Sequence, residues 1–393
     1  MKLRTPNVSL LLIAVMALAL GACRKQPAAS QQSTNKSSTA PERDAPVGGA
    51  APSGEKFYFS GTIAGNLRIE MTLLRDREQL TGGYFYPKVG KNIELKGSID
   101  KNGGVELRES DENGKETGVF KGKWKAANNS PDASLSDIEG KWSKPDGSKE
   151  TAFALSQQPI EFSGAVRVVP KLIREANKEA HYTIDGEYPE LEGDARFDKF
   201  NKEARNLVGR EVAAWKTGET ASASDSGLEA ATETQDSDLS IGYDFRLATD
   251  DLISVAFRVG AYSRGAAHPN SSTTVLNYDV KSGKKLSLSD LFNPKSDYLS
   301  VISSYCIKDL KQQAKKVKDS MLSDDSIASG ASARADNYKA WAITRKGLWI
   351  IFDPYQVAPY AAGPQYVLVP YSALKDIIKP SGPIAALAKD FGR

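Results

Sequence analysis

Cysteine and histidine are nearly absent, with two of each in 393 residues. Cys23 closes an apolar N-terminal segment and Cys306 sits inside a helical pattern. Once Cys23 is modified no intrachain disulfide can form, so the fold must rest on packing. Cys306 reads as a small buried apolar residue. A zinc hydrolase needs about three protein ligands, and His181 and His268 are far apart with no Cys cluster near either, so neither a metal nor a cofactor is expected. The chain has no Gly-x-Ser-x-Gly elbow and no phosphate-cradling glycine loop. It names no catalytic residue and reads as a non-enzyme. A charge excess of one sign is missing too: 52 basic residues, Lys2 and Arg4 among them, stand against 49 acidic ones. That balance excludes a nucleic-acid footprint, which needs clustered Lys and Arg.

Long hydrophobic runs are also absent. The longest, Val8 to Leu20, falls short of the ~20 residues of a spanning helix. Preceded by Lys2 and Arg4 and ended by Leu20-Gly21-Ala22-Cys23, it has the form of a bacterial lipoprotein signal. Residues 1–22 are expected to be removed and the Cys23 thiol to carry a diacylglyceryl group, the two-chain anchor that holds stably in a membrane. Arg24, where an Asp would retain the protein at the inner membrane, favours the outer membrane, facing the periplasm or the cell surface. Residues 23–54 are rich in Ala, Ser, Pro and Gln and cannot bury enough surface to fold. They predict a flexible tether with a reach of about 30 Å.

Residues 55–157 predict an all-β meander that forms a small barrel or a strongly curved sheet. Eight alternating runs span 57–63, 67–74, 79–86, 93–99, 105–109, 119–124, 138–142 and 151–155. Turn signals such as Asn102-Gly103 and Asp146-Gly147 separate them. A phrase recurs at Gly61-Thr62-Ile63, Gly97-Ser98-Ile99, Gly122-Lys123-Trp124 and Gly140-Lys141-Trp142. Period two puts the glycine and the apolar residue on one face, with room where the sheet bends. Trp124 and Trp142 suit packed core or a ligand cavity. Within Tyr84-Phe85-Tyr86 at least one ring must point outward.

Residues 159–238 predict a small α/β segment. It has a strand over 162–169, a strand with a turn over 182–189, and a helix striped by Phe197, Phe200, Ala204, Leu207, Val208 and Trp215. Gly209 weakens that helix. From Glu219 to Asp238 the chain carries six acidic and no basic residues, which predicts a solvated loop. Residues 239–379 predict an α+β layer, with strands at 239–248, 252–261 and 273–278. A helix striped by Tyr298, Val301, Ile302, Tyr305, Leu310 and Val317 follows, then strands at 341–344, 348–352 and 366–369 and a short helix from Pro370. Residues 380–393 form a tail. The fold class is therefore α+β, a barrel-like all-β domain followed by an α+β domain.

The stretch Tyr262-Ser263-Arg264-Gly265-Ala266-Ala267-His268-Pro269-Asn270, with Leu276-Asn277-Tyr278-Asp279 and Ser289-Asp290-Leu291-Phe292, resembles one family. So does Asp353-Pro354-Tyr355-Gln356-Val357-Ala358-Pro359-Tyr360. The family is the extracytoplasmic RsiV/PdaC-type domain, present in a lysozyme-binding anti-sigma factor and beside a peptidoglycan deacetylase domain. The likeness covers roughly 160–379. It departs from the family's common Gly-Gly-Ala-His loop at Ala266, where the freedom of a second glycine is lost. The resemblance implies an envelope binding module for lysozyme or a cell-wall glycan. It carries neither sigma-factor regulation nor deacetylase chemistry, since those parts are missing.

The candidate binding residues are Tyr262, Arg264, His268 and Asn270 in the first loop and Tyr355 and Tyr360 in the second. Both loops mix aromatic and polar groups as recognition patches do. For His268 the other reading is a loop cap bonded to backbone, and a Ser263–His268 nucleophile would need geometry that spacing does not show. Two further functions stay open. One is peptidoglycan hydrolysis, or accessory work for a deacetylase, through carboxylates such as Asp185, Glu187 and Asp279. The other is a structural or assembly lipoprotein.

Overall fold

The computed structural model describes residues 54–127, 135–225 and 235–390. The lipoprotein box with Cys23 and nearly all of the tether lie outside the described residues.

Eight antiparallel strands form the first part: β1 (Glu55–Ile63), β2 (Leu67–Asp76), β3 (Gln79–Phe85), β4 (Asn92–Ile99), β5 (Gly104–Ser110), β6 (Glu116–Ala126), β7 (Ser136–Ser143) and β8 (Thr151–Gln158). Each pairs with the next, and β1 closes on β8 with Gly61 opposite Leu155, making a closed barrel. Alternation sends Phe59, Ile69, Met71, Leu73, Leu80, Leu95, Leu107 and Phe120 inward, where they fill the interior. Phe120 meets Tyr84 and Phe153 edge-on at 5.5 and 5.1 Å between ring centroids.

The recurring glycines permit closure. A Cβ at Gly61 would lie 2.0 Å from the Ala154 carbonyl oxygen, and one at Gly140 would lie 2.1 Å from that of Lys121. Between strands, Asp100 Oδ1 accepts from the amides of Asn102 and Gly104 at 2.7 and 2.8 Å, and Asp111 repeats the device in the next turn. These are Asx turns. Trp142 and Trp124 are both structural. Trp142 donates to the buried Glu109, which also accepts from Tyr84 and Thr117. Trp124 packs edge-on against Phe57 and Phe59.

A second sheet follows. Its strands are β9 (Ile160–Glu161), β10 (Arg167–Asn177), β11 (Tyr182–Glu192), β12 (Ser237–Thr249), β13 (Leu252–Tyr262), β14 (Asn270–Asp279) and β15 (Lys284–Lys285), with the helix α1 (Asp198–Asp225) between β11 and β12. The order runs from β10 to β15, with β9 beside the end of β12. β11 and β12 are parallel, joined through α1, and the α1 stripe Phe200, Ala204, Leu207 and Val208 is buried against the sheet. The boundary expected at residues 238/239 falls inside β12.

Three local expectations are corrected here. Of the strand expected over 162–169, only residues 167–169 are strand, the start of β10, and 162–166 form a bend. The turn expected near Gly186 is continuous strand, with Gly186 paired to both Ile173 and Ile241. The stretch expected as an acidic loop from Glu219 is helical as far as Asp225, where α1 ends. A helix already nucleated by a packed stripe extends at little cost through Ala, Glu and Ser. Residues 226–234 of that stretch lie outside the described residues.

The remainder packs on the second sheet: α2 (Tyr298–Lys316), α3 (Asp324–Gly330), a three-stranded sheet of β16 (Trp341–Ile343), β17 (Gly347–Phe352) and β18 (Gln365–Pro370), then α4 (Tyr371–Leu374) and α5 (Ala385–Asp390). Cys306 on α2 is fully buried, and burial pushes its thiol pKa up. Ile384, in the expected tail, is buried as well. A buried polar staple joins the two sheets. Asn277 Nδ2 donates to the Trp341 carbonyl at 2.8 Å, and the Ile343 amide donates to Ser254 Oγ at 3.0 Å. The fold is α+β with an eight-stranded N-terminal barrel, as expected.

The barrel meets the second sheet through a polar seam. Arg68 bonds Glu70 at 3.0 Å and ion-pairs with Glu187 of β11. The Tyr58 hydroxyl donates to the Val166 carbonyl at 2.9 Å. Phe85 leaves the barrel interior, as one ring of its run must, but the Arg167 guanidinium covers it at 4.9 Å. Among the described residues no helix is long and apolar enough to cross a membrane.

Candidate functional site

The β13–β14 hairpin and the loop after β17 carry the two aromatic-polar segments singled out from sequence, and the fold brings them together. The hairpin loop is tightened by the Ala266 amide, which donates to the Ser263 carbonyl at 2.9 Å. Gly265 sits at φ +83°, while Ala266 has no positive φ. The loop therefore uses left-handed freedom at Gly265 and needs no second glycine at 266.

His268 follows on an exposed stretch. Its Nδ1 lies 2.8 Å from the Pro269 carbonyl oxygen. A carbonyl can only accept, so Nδ1 carries the proton, and Nε2 of the neutral ring is an acceptor. The Tyr355 hydroxyl donates to that Nε2 at 3.3 Å. The Tyr360 ring stacks on the imidazole with centroids 4.1 Å apart, and its hydroxyl donates to the Pro269 carbonyl at 2.6 Å. Tyr355 and Tyr360 are 5.5 Å apart. The cap reading of His268 and the surface reading thus describe the same residue: one nitrogen serves the backbone and the ring stays exposed.

The Tyr355 loop is held in place by its neighbours. The Gln356 amide donates to the Asp353 carbonyl at 3.1 Å, closing a turn with Pro354 and Tyr355 at its corners. Gln356 Nε2 ties the turn to the carbonyls of Gly330 and Asn337. Asp353 Oδ2 accepts from the Thr273 amide of β14 at 3.1 Å, so the turn docks on the hairpin that carries His268. Asp353 Oδ1 is buried without a partner, and burial raises the pKa of this carboxyl.

Pro suits the first corner of such a turn, and glycine is the usual residue where the second corner has positive φ. This chain instead has Tyr355 there at φ +71°, with 62% of its surface exposed. Left-handed backbone costs a side-chain-bearing residue about 1 kcal/mol or more.

The other candidates sit nearby in different roles. Tyr262 ends β13, half-buried, and Asn270 opens β14, where its Oδ1 accepts from the Ser271 amide at 2.9 Å. Arg264 anchors the loop by its backbone amide, which donates to Ser237 Oγ at 2.8 Å. The Asp-Leu-Phe phrase is structural. Asp290 accepts from the Ser287 hydroxyl and amide at 2.6 and 2.7 Å, bonds that lower its carboxyl pKa. Leu291 and Phe292 are buried. Sequence reading missed Asp353 and Thr273 as the pair that joins the two loops. The only signal was the Asp-Pro-Tyr phrase itself.

The carboxylates Asp185, Glu187 and Asp279 do not form a hydrolytic pair. Asp185 is bound to Arg174 at 3.0 Å and Glu187 to Arg68. Asp279 accepts from the Ser282 amide. It lies on β14, three strand spacings from β11, or about 14 Å, beyond the separations such pairs use. No group of three metal-ligating side chains occurs among the described residues.

Residues 289–372 match the profile of a family described as a protein of unknown function, DUF3298. The chain is 30% identical over 146 residues to the peptidoglycan-N-acetylmuramic acid deacetylase PdaC of Bacillus subtilis, covering 37% of this chain and 30% of that protein. It is 30% identical over 115 residues to the immunogenic protein MPT64 of Mycobacterium tuberculosis, covering 29% of this chain and 47% of that one. It therefore spans less than half the length of either curated relative. A crystal structure of a DUF3298 member from Bacteroides fragilis aligns over 58% of this chain and all of that one, at TM-score 0.44 and 19% identity. One from Pseudomonas aeruginosa aligns over 55% and 94%, at 0.40 and 17%. The matched segment holds Tyr355 and Tyr360, while His268 lies upstream of it. Residues 289–372 are a DUF3298 domain, in agreement with the expected likeness to the RsiV/PdaC type.

Proposed function

We propose that this chain is a lipid-anchored protein of the bacterial cell envelope that binds a macromolecular partner through the His268–Tyr355–Tyr360 cluster. A c-type lysozyme is the first candidate partner and a cell-wall glycan the second. The observation that carries the reading is Tyr355, exposed and held at positive φ against His268. Rigid aromatic groups that lose little entropy on contact are what anchors at interfaces provide. The relation to a peptidoglycan-acting protein supports a place beside the cell wall as an accessory module. The Cys23 box supports attachment by acyl chains, and Arg24 supports the outer membrane.

The test is calorimetric titration of residues 55–393 with c-type lysozyme, with lysozyme activity followed in the same mixture. Binding with lost activity makes the protein an inhibitor that shields the wall. Binding with retained activity makes it a sensor or scaffold. No heat at high micromolar concentration rules out lysozyme, and muropeptides are then titrated at the same cluster.

The second reading is an accessory to a peptidoglycan hydrolase or deacetylase, favoured by what PdaC is named for. Faster release of acetate or reducing ends from cell wall when the chain is added to such an enzyme would support it.

A further inference from the structure

A cleft of about 440 Å³ lies where the barrel meets both C-terminal sheets, lined from β7 and β8, from β12 and β13, and from β17 and the turn before it. Its size is that of a small-molecule site. Among the described residues six buried side-chain polar atoms have no hydrogen-bond partner, and three of them belong to residues lining this one cleft: Gln157 Oε1, Arg246 Nε and Trp349 Nε1. Buried polar groups are almost always paired. Three orphans from three separate strands around a single opening therefore point to partners supplied from outside the chain.

The donors are rigid. The Trp349 indole stacks on Tyr366 with centroids 5.4 Å apart, and the Arg246 guanidinium sits 5.9 Å from the indole centroid. The direction of the indole N–H is thereby fixed before anything binds, and a preorganised donor loses little on binding.

The charges lining the cleft cancel: Asp137, Glu139 and Asp244 against Arg246, Arg258 and Lys346. A phosphate or polyanion would call for a cationic surplus. A neutral lining with two unmet N–H donors and one unmet carbonyl acceptor suits groups that both accept and donate, which hydroxyls do. We propose that the cleft is a binding site for a neutral saccharide. Its hydroxyl or acetamido oxygens accept from Trp349 and Arg246, and a hydroxyl donates to Gln157. The site is separate from the His268 cluster and stands on different residues, so either proposal can fail alone.

The test uses the full chain in detergent with two probes, chitotriose and cellotriose, trisaccharides that differ in the acetamido group. Binding is read from tryptophan fluorescence and from calorimetry. Saturable binding of chitotriose is expected, weakened about tenfold in Trp349→Phe, the equivalent of one lost hydrogen bond. This variant keeps a ring and removes the N–H. Gln157→Leu is expected to weaken binding similarly and serves if Trp349→Phe folds poorly. Trp349→Phe should leave lysozyme binding unaltered. Preference for chitotriose would place an acetamido oxygen on one of the two donors, and equal binding would place hydroxyls there; both support the site. Failure of both sugars to bind at millimolar concentration overturns the proposal, as does binding that both variants leave unchanged.

Discussion

His268 lies flat against Tyr360, with ring centroids 4.1 Å apart and planes 23° from parallel, and both side chains reach the same carbonyl, that of Pro269. One backbone oxygen thus gathers two loops far apart in the chain. Its two donors fix both rings, and the Tyr355 hydroxyl completes the set on the opposite imidazole nitrogen.

Tyr355→Gly separates stability from binding. Glycine adopts φ +71° without steric cost, and the lost ring is mostly exposed. The variant is expected to be as stable as the parent or more so, by up to about 1 kcal/mol. Its affinity for the partner of the cluster should fall at least tenfold. Urea denaturation and titration on the same preparation check both. A clear loss of stability would make Tyr355 a packing residue.

Stability should respond to pH through Glu70. Burial outweighs the attraction of Arg68 and the Ser60 hydrogen bond, and its carboxyl is pushed up to about 7 from an ordinary 4.5. Arg68, Ser60, Glu187 and Tyr243 all face this group. The folded protein holds the proton more tightly than the unfolded chain. Its contribution is therefore full below pH 4.5 and lost as pH rises through 7, a change of about 2–3 kcal/mol. Glu70→Gln keeps the acceptor for Ser60 and Arg68 and removes the titration. Relative to the parent, it should gain that amount between pH 5 and pH 8 in urea midpoints. A constant difference across this range would contradict the assignment.

Two glycine-to-alanine changes should have opposite signs. At Gly140 a Cβ meets backbone at 2.1 Å, so Gly140→Ala strains the barrel by about 3 kcal/mol. At Gly209 on α1 nothing lies within 4 Å, and Gly209→Ala should stabilise by up to about 1 kcal/mol through helix propensity. Thermal melts of the two variants side by side settle the comparison.

Asn277→Leu removes the staple between the sheets. The Trp341 carbonyl loses its side-chain donor and Ser254 Oγ loses the Asn277 oxygen it bonds at 2.6 Å. The expected cost is about 2–4 kcal/mol, two buried polar groups left short of partners. A lower urea midpoint would show it. A midpoint unchanged from the parent would mean that water takes over these bonds.

The eight barrel strands were legible because their signals are local. Side chains alternate with period two, and Asp100, Asp111 and Asp146 sit where Asx turns form. The stripes of α1 and α2 were legible for the same reason, as was the burial of Cys306, except that Val317, expected on the α2 stripe, falls past the helix end and is exposed. Gly186 was misleading: glycine beside an acid reads as a turn in one dimension, but here it is flanked by two neighbouring strands. The Tyr355 loop and the His268 loop were each visible as recognition-like composition. Nothing in either segment said that they touch.

The sequence by itself determined the elements, the likeness of the C-terminal half to an envelope domain and the box at Cys23, since each is written in neighbouring residues. Only the tertiary structure decided that β1 closes on β8, that Arg167 covers Phe85, that Asp353 docks one aromatic loop on the other, and that three residues with unmatched polar atoms gather around one cleft. Those are contacts between distant residues. They follow from how whole layers pack and pair, and no short-range pattern encodes which residue a side chain will meet across the fold.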